Sequence, residues 1–167
     1  MRSVFSSGQH ARSLALGGMI AAVYVVLTLF ASGFGLASGA IQVRFSEAMC
    51  LLPCLTSAAV PGLAVGCLLA NLITGCPIWD ILFGTLATLL GAIGSRFLRR
   101  HPVLRCLPPV LANALIIPPV LIYAYGVPQG FWFLTCTVAI GEILSAGVLG
   151  TLLLRLLEKN KQAFRSE

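Results

Sequence analysis

Long apolar runs, separated by short polar segments, occupy most of the chain. A helix needs about 20 consecutive apolar residues to cross the hydrocarbon core of a bilayer. Four runs approach that length, at residues 14–33, 78–95, 107–126 and 130–154. The first run competes with a signal peptide, but its apolar core is longer than the about 7–15 residues of a signal sequence. These four runs therefore predict four retained transmembrane helices.

The stretch between residues 46 and 75 is also apolar, but two prolines and a glycine interrupt it. It predicts either one kinked helix or two short spans, 46–57 and 59–75. Positive charge decides between them, because cytoplasmic loops are rich in Lys and Arg. Only with two spans does the basic loop 96–105 lie on the same side as both basic termini. We therefore predict one all-α integral membrane domain over 1–167, with six transmembrane helices and both termini in the cytoplasm.

Composition agrees with a membrane protein and excludes several other classes. The chain is 58% hydrophobic and 10% charged, whereas about a quarter of the residues of soluble proteins are charged. Its net charge of +6 comes from the ends and one loop, a pattern that sets topology and does not predict nucleic-acid binding. The six cysteines lie in or beside apolar segments, and the two histidines lie at polar margins. We therefore expect free thiols, and neither a metal nor a cofactor.

Catalytic signatures are missing from the sequence. It contains no nucleotide-binding loop, no zinc-protease motif and no serine-hydrolase motif. We therefore expect a ligand-binding membrane subunit that is not an enzyme. Any ATP hydrolysis that drives it must come from another polypeptide.

A few polar residues interrupt the apolar runs, and their position points to a binding site. In the predicted topology Arg44, Glu47, Asn71 and Asp80 all lie near the outer end of the bundle, below a flexible connection at 33–43. Arg44 opposes the positive-inside rule there, so topology does not explain it. An exposed ion pair between Arg44 and Glu47 is the alternative, but it contributes less than about 1 kcal/mol. Asp80 could bind ligand, or it could instead interact favourably with the dipole at the N-terminus of its own helix.

Other candidates lie deeper in the bundle or at its margins. Asn113 and Glu142 fall within predicted spans, where polar side chains are costly, and they could bind ligand or pair with each other. Trp79 could stack on a ligand or anchor its helix at the membrane interface. Gly18 and Ala22, four residues apart, predict a small-residue face for close helix packing, within this chain or against another subunit.

Three segments carry a resemblance to a known family: IQVRFSEAMCLLP, PGLAVGCLLANLITGCPIWDILFGTLATLLGA and LPPVLANALIIP. Together they resemble the QueT-like queuosine-precursor transporters, the substrate-binding (S) components of energy-coupling factor (ECF) transporters. The resemblance implies an S-component-like bundle in the bacterial plasma membrane that captures a small heterocyclic base, namely queuine or a preQ0/preQ1-type deazaguanine. It also implies a transmembrane coupling subunit and two cytoplasmic ATPases as partners. In such proteins the small-residue face of the first helix docks on the coupling subunit, which would give Gly18 and Ala22 that role.

Two other functions stay open from the sequence. A stand-alone secondary transporter could couple transport to protons through the intramembrane carboxylates, although the chain shows no internal repeat of the kind that many such carriers have. An S component for another small heterocyclic vitamin would share the same architecture. In the favoured interpretation the candidate substrate-binding residues are Arg44, Glu47, Asn71, Trp79, Asp80, Asn113 and Glu142.

Overall fold

The computed structural model describes residues 2–34 and 44–159, and every regular element within these ranges is helical. The elements are α1 (Arg2–Gly33), α2 (Phe45–Cys54), α3 (Ala59–Ile73), α4 (Ile78–Phe97), α5 (Leu107–Tyr125) and α6 (Phe131–Glu158). A short 3₁₀ turn, Leu104–Cys106, precedes α5. Most of the connection at 33–43 that we predicted to be flexible lies outside the described residues, and so do Lys161 and Arg165 of the basic C-terminus.

The lengths of the helices divide them into two groups. Four are long and apolar enough to cross a membrane: α1 from Gly8, α4, α5 with its preceding turn, and α6. Helices α2 and α3 have only 10 and 15 residues. Because α2 is a 3₁₀ helix, it rises about 20 Å, and α3 rises about 22 Å, against a hydrocarbon core of about 30 Å. The all-helical prediction is confirmed, while six crossings and the orientation of the termini stay predictions.

The helices pack in a simple order around a short central element. Helix α1 packs on α3, α3 on α4, α4 on α5, and α5 on α6. Helix α2 lies among them and contacts α1, α3, α4 and α6. Most of its side chains are therefore buried, and the polar Ser46 and Glu47 are among them. This arrangement buries polar groups in the middle of an apolar bundle.

Apolar side chains form two cores on either side of the bundle. One core joins α1, α2 and α3 through Ile20, Tyr24, Met49, Leu52, Leu63 and Cys67. The other joins α4, α5 and α6 through Ala87, Ile117, Leu121, Leu134 and Val138. Helix α4 takes part in both packings, because its Ala92 belongs to the first core.

Glycine lets α1 and α3 approach closely. A Cβ added at Gly62 would lie 2.6 Å from the Gly17 carbonyl oxygen, and one at Gly66 would lie 2.8 Å from the Cβ of Tyr24. Any larger residue would therefore force the two helices apart. Since lipid provides no hydrophobic drive between helices, such close approach is how dispersion holds them together.

Polar contacts of the basic loop close one end of the bundle. The Arg96 guanidinium donates to the Pro53 carbonyl oxygen at 3.0 Å, and the Ser95 hydroxyl donates to the Arg105 carbonyl oxygen at 2.8 Å. Arg105 is buried, and its guanidinium lies 3.7 Å from the Glu158 carboxylate. These contacts join the end of α2 to α4 and the loop to α6.

Candidate functional site

A cavity of about 400 Å³ lies at the end of the bundle opposite the basic loop. It lies where α1, α3 and α5 end and where α2 and α4 begin, and none of the described residues that line it belongs to α6. The lining residues are Thr28, Ala31, Ser32, Arg44, Asn71, Thr74, Cys76, Asp80, Leu121, Tyr125 and Val127. Arg44, Asn71 and Asp80 were predicted to lie together at such an end, and the fold brings all three into one cavity.

The turn between α3 and α4 positions Asn71 and Asp80 opposite each other. Gly75 adopts a φ of 72°, which a residue with a side chain rarely takes, and the next amide, from Cys76, donates to the Asn71 carbonyl oxygen at 3.0 Å. Pro77 stands immediately before α4, and the Asp80 amide donates to the Pro77 carbonyl oxygen at 2.9 Å. The Asn71 side-chain amide donates to the Asp80 carbonyl oxygen at 3.4 Å. One helical hairpin therefore carries both polar groups.

Asp80 is nearly fully buried and is held by a residue from α5. The Tyr125 hydroxyl donates to Asp80 Oδ2 at 2.6 Å. Tyr125 stands at the end of α5, where Gly126 has a φ of 64° and terminates the helix. Tyr125 is not among the candidate residues predicted from the sequence. Its hydroxyl-bearing ring, next to a helix-ending glycine at the predicted pocket end, was the available signal.

Arg44 precedes α2 and is half-buried at the cavity. Burial by itself would lower the pKa of the guanidinium, but the nearby Asp80 carboxylate and, less strongly, the Glu47 carboxylate raise that pKa above its ordinary value. Arg44 therefore stays protonated, with Asp80 as its strongest electrostatic partner. The two residues offer a ligand a cation and a carboxylate in one cavity.

Glu47 lies beneath the cavity and does not line it. Its side chain is only 1% exposed. The Tyr24 hydroxyl donates to its Oε1 at 2.7 Å, and the Cys50 thiol donates to its Oε2 at 2.8 Å. Both carboxylate oxygens thus have partners in α1 and α2. The exposed ion pair with Arg44 that the sequence left open does not describe this buried arrangement.

Comparison with known proteins identifies the family. A model of the QueT transporter family matches residues 14–159, from the first half of α1 to the end of α6. The chain belongs to the QueT transporter family. The match includes every element that lines the cavity, and the predicted resemblance is confirmed. No curated protein and no solved structure matches the chain.

Membership in the QueT transporter family confirms the coarser predictions. It is a family of transporters, so the chain is not an enzyme, and it acts on a small molecule. The apolar helices agree with a multi-pass membrane protein. Within the two described ranges, no group of three or more His, Cys, Asp or Glu side chains could hold a metal ion.

In this QueT family member, three other candidates lie away from the cavity. Trp79 is 56% exposed on α4 and stacks on Phe83, in a separate apolar groove between α4 and α5. The buried Asn113 amide donates to the Pro109 carbonyl oxygen of its own helix at 3.1 Å, so its hydrogen bond does not go to Glu142. Glu142 is buried on α6, where it interacts electrostatically with Glu47 and Arg44.

Gly18 and Ala22 lie on the outer surface of α1. Gly18 has no neighbouring atom within 4 Å of an added Cβ, and Ala22 is exposed. Gly18 lines a groove of about 480 Å³ between α1 and α3, opposite Pro61 and Val65. The closest packing inside the chain uses Gly17, one position earlier. The predicted small-residue face is thus open and available for contact.

Proposed function

We propose that this QueT family member is the substrate-binding S component of an ATP-driven ECF transporter that imports a queuosine precursor. The substrate class is a deazaguanine-type base, such as queuine, preQ0 or preQ1. The observation that carries the proposal is the cavity, which combines a guanidinium, a carboxylate and an amide within an apolar bundle. Family membership supports a transported small molecule.

The chemistry of the cavity suits a planar heteroaromatic base with donors and acceptors along its edge. Asp80 can accept hydrogen bonds from ring or exocyclic N–H groups, and Asn71 can both donate and accept. Arg44 can donate to a ring carbonyl, while the ring of Tyr125 offers an aromatic surface. The volume of about 400 Å³ lies within the about 300–1,000 Å³ that small-molecule sites occupy.

Energy for uptake would come from other subunits. The chain has no nucleotide-binding loop, so two cytoplasmic ATPases and a transmembrane coupling subunit would supply ATP hydrolysis and the path for substrate. The open face with Gly18 and Ala22 is the surface that we assign to the coupling subunit. In this orientation the cavity faces outward and the basic loop faces the cytoplasm, in agreement with the positive-inside rule.

Reconstituted uptake tests the proposal. The chain is placed in liposomes alone or with the coupling subunit and ATPases, and uptake of a labelled deazaguanine base is measured with and without internal ATP. We expect uptake only with all subunits and ATP. Full uptake by the chain alone, insensitive to ATP and driven by a proton gradient, would instead establish a secondary transporter. ATP-dependent uptake of another labelled heterocyclic vitamin by the complete complex, with no uptake of the deazaguanine label, would leave the S-component architecture but refute the substrate class.

A further inference from the structure

Helix α6 changes its winding next to a buried carboxylate. It is α-helical to Glu142 and π-helical over Ile143–Leu149, before it resumes as an α-helix at Gly150. Segments of π-helix are rare and are found frequently at functional sites. Helix α2 packs directly on this segment, and a Cβ added at Gly150 would lie 2.9 Å from the Ala48 carbonyl oxygen. The irregular turn is therefore held firmly against α2.

Two polar side chains of this region are buried without a hydrogen-bond partner in the part of the chain that the structure describes. Glu142 is 6% exposed and its Oε2 has no partner, and Ser145 is 1% exposed and its Oγ has none. Both residues belong to α6, and because both are buried, both side chains face the interior of the bundle. Buried polar atoms are nearly always hydrogen-bonded, and unpartnered ones indicate a bound water, ion or proton.

The surrounding charges favour a cation over an anion at Glu142. The charged and titratable groups that interact with it are Glu47 and Cys50 of α2, and Arg44. Glu47 accepts a hydrogen bond at each carboxyl oxygen, and two neighbouring carboxyl groups disfavour negative charge on both. Arg44 does not neutralise Glu142 alone, because it also interacts with Asp80, its strongest electrostatic partner, and with Glu47. Three carboxyl groups thus face one guanidinium.

We propose that Glu142 and Ser145 form a binding site for one small cation, a sodium ion or a proton, behind the substrate cavity. The Glu142 carboxyl group and the Ser145 hydroxyl group offer oxygen atoms, which can bind either a sodium ion or a proton. Intramembrane carboxylates bind protons in transporters, and sodium sites there are built where helices lose their regular winding. The bound charge neutralises Glu142, so that Arg44 remains with Asp80 at the cavity. Without the bound cation, an ionised Glu142 would attract the Arg44 guanidinium away from Asp80.

Thermal unfolding of the purified chain in detergent tests this site without any substrate, so its outcome is independent of the proposed function. In one arm, the midpoint is compared in sodium chloride and choline chloride at equal ionic strength and pH 8. In the other, it is followed from pH 5.5 to 8.5 in choline chloride. The proteins are wild type, Glu142→Gln, Ser145→Ala, and Glu158→Gln as a control substitution in the same helix.

A sodium ion at ten times its dissociation constant raises the midpoint of a chain of this size by about 3–6 °C. We expect that increase in wild type and Glu158→Gln, a smaller one in Ser145→Ala, and none in Glu142→Gln. If the cation is a proton, sodium has no effect. Instead the wild-type midpoint falls as pH rises, because the folded state still holds a proton that the unfolded chain has released, and the Glu142→Gln curve is flatter.

Identical responses of wild type and Glu142→Gln in both arms would overturn the proposal. If Glu142→Gln fails to fold, the unfolding midpoints of wild type and Ser145→Ala test the proposal instead. A wild-type midpoint that changes with neither sodium nor pH overturns the site. A sodium response that is the same in Ser145→Ala as in wild type removes Ser145 from it and refutes the proposal as stated.

Discussion

The hydrogen bond from Tyr24 to Glu47 allows a direct measurement of how α1 holds the floor of the cavity. Tyr24→Phe removes one hydroxyl group and leaves the ring in place. The bond is 2.7 Å long, and both side chains are 1% exposed. Water therefore cannot replace the missing donor, and Glu47 Oε1 is left unsatisfied. The Cys50 thiol, bonded to the other oxygen, cannot serve both.

The expected loss follows from the charge of the acceptor and the burial of the pair. A hydrogen bond to a charged group contributes about 1.5–3 kcal/mol, and a buried group left without its partner costs a similar amount. We expect Tyr24→Phe to lower the free energy of unfolding by about 1.5–3 kcal/mol, which reduces the ratio of folded to unfolded protein by about 10- to 150-fold. Unfolding is followed by circular dichroism as the denaturing detergent fraction of mixed micelles increases.

Tyr123→Phe is the matched control, because the Tyr123 side chain is 87% exposed. It should stay within about 0.5 kcal/mol of wild type. A Tyr24→Phe loss no larger than this would refute the reasoning that the bond is buried and essential. A double-mutant cycle with Glu47→Gln isolates the pair, and strictly additive losses would assign the effect to the two side chains separately, not to their contact.

Three further predictions use the same preparation. Gly62→Ala should destabilise the chain by about 1–3 kcal/mol, because its Cβ would lie 2.6 Å from a backbone carbonyl oxygen, whereas Gly18→Ala should not; equal effects would contradict the close approach of α1 and α3. Asp80→Asn should weaken binding of a labelled deazaguanine base at least about tenfold in equilibrium dialysis, through loss of a charged acceptor. Trp79→Phe should change the affinity less than about twofold. A larger loss in Trp79→Phe than in Asp80→Asn would mean that the ligand binds in the Trp79 groove and not in the cavity. Gly126→Ala forces a side chain into a left-handed conformation with φ of 64° and should lower the melting midpoint by about 2–8 °C; an unchanged midpoint would refute that geometry.

The shared location of Arg44, Asn71 and Asp80 could be predicted because successive helices joined by short turns reverse direction. The ends of alternate helices then gather on one side, and polar residues near those ends come together whatever the details of packing. Rotation about each helix axis could not be predicted in this way. Trp79 immediately precedes Asp80, yet one residue corresponds to about 100° around an α-helix, and so Trp79 is exposed while Asp80 is buried.

Winding and long-range contacts explain the other differences. The sequence did not indicate that α2 is a 3₁₀ helix, in which each residue turns by about 120°, and this conformation turns Glu47 inward beneath the cavity. The contact of Tyr125 with Asp80 joins residues far apart in the chain and leaves no periodic pattern. On α1, small residues occur at both Gly17 and Gly18, so spacing alone could not decide which one packs against α3.

The winding of α2 also sets a distance along the bundle. Its ten residues rise about 20 Å as a 3₁₀ helix and would rise only about 15 Å as an α-helix. Arg44 stands at the upper end of this segment, in the cavity, and the Pro53 carbonyl oxygen near its lower end is held by Arg96. With that lower end anchored, rewinding α2 would draw the Arg44 backbone inward by about 5 Å, close to one full helical turn. The depth of the Arg44 guanidinium in the cavity therefore depends on whether the ten residues of α2 are wound as a 3₁₀ helix or as an α-helix.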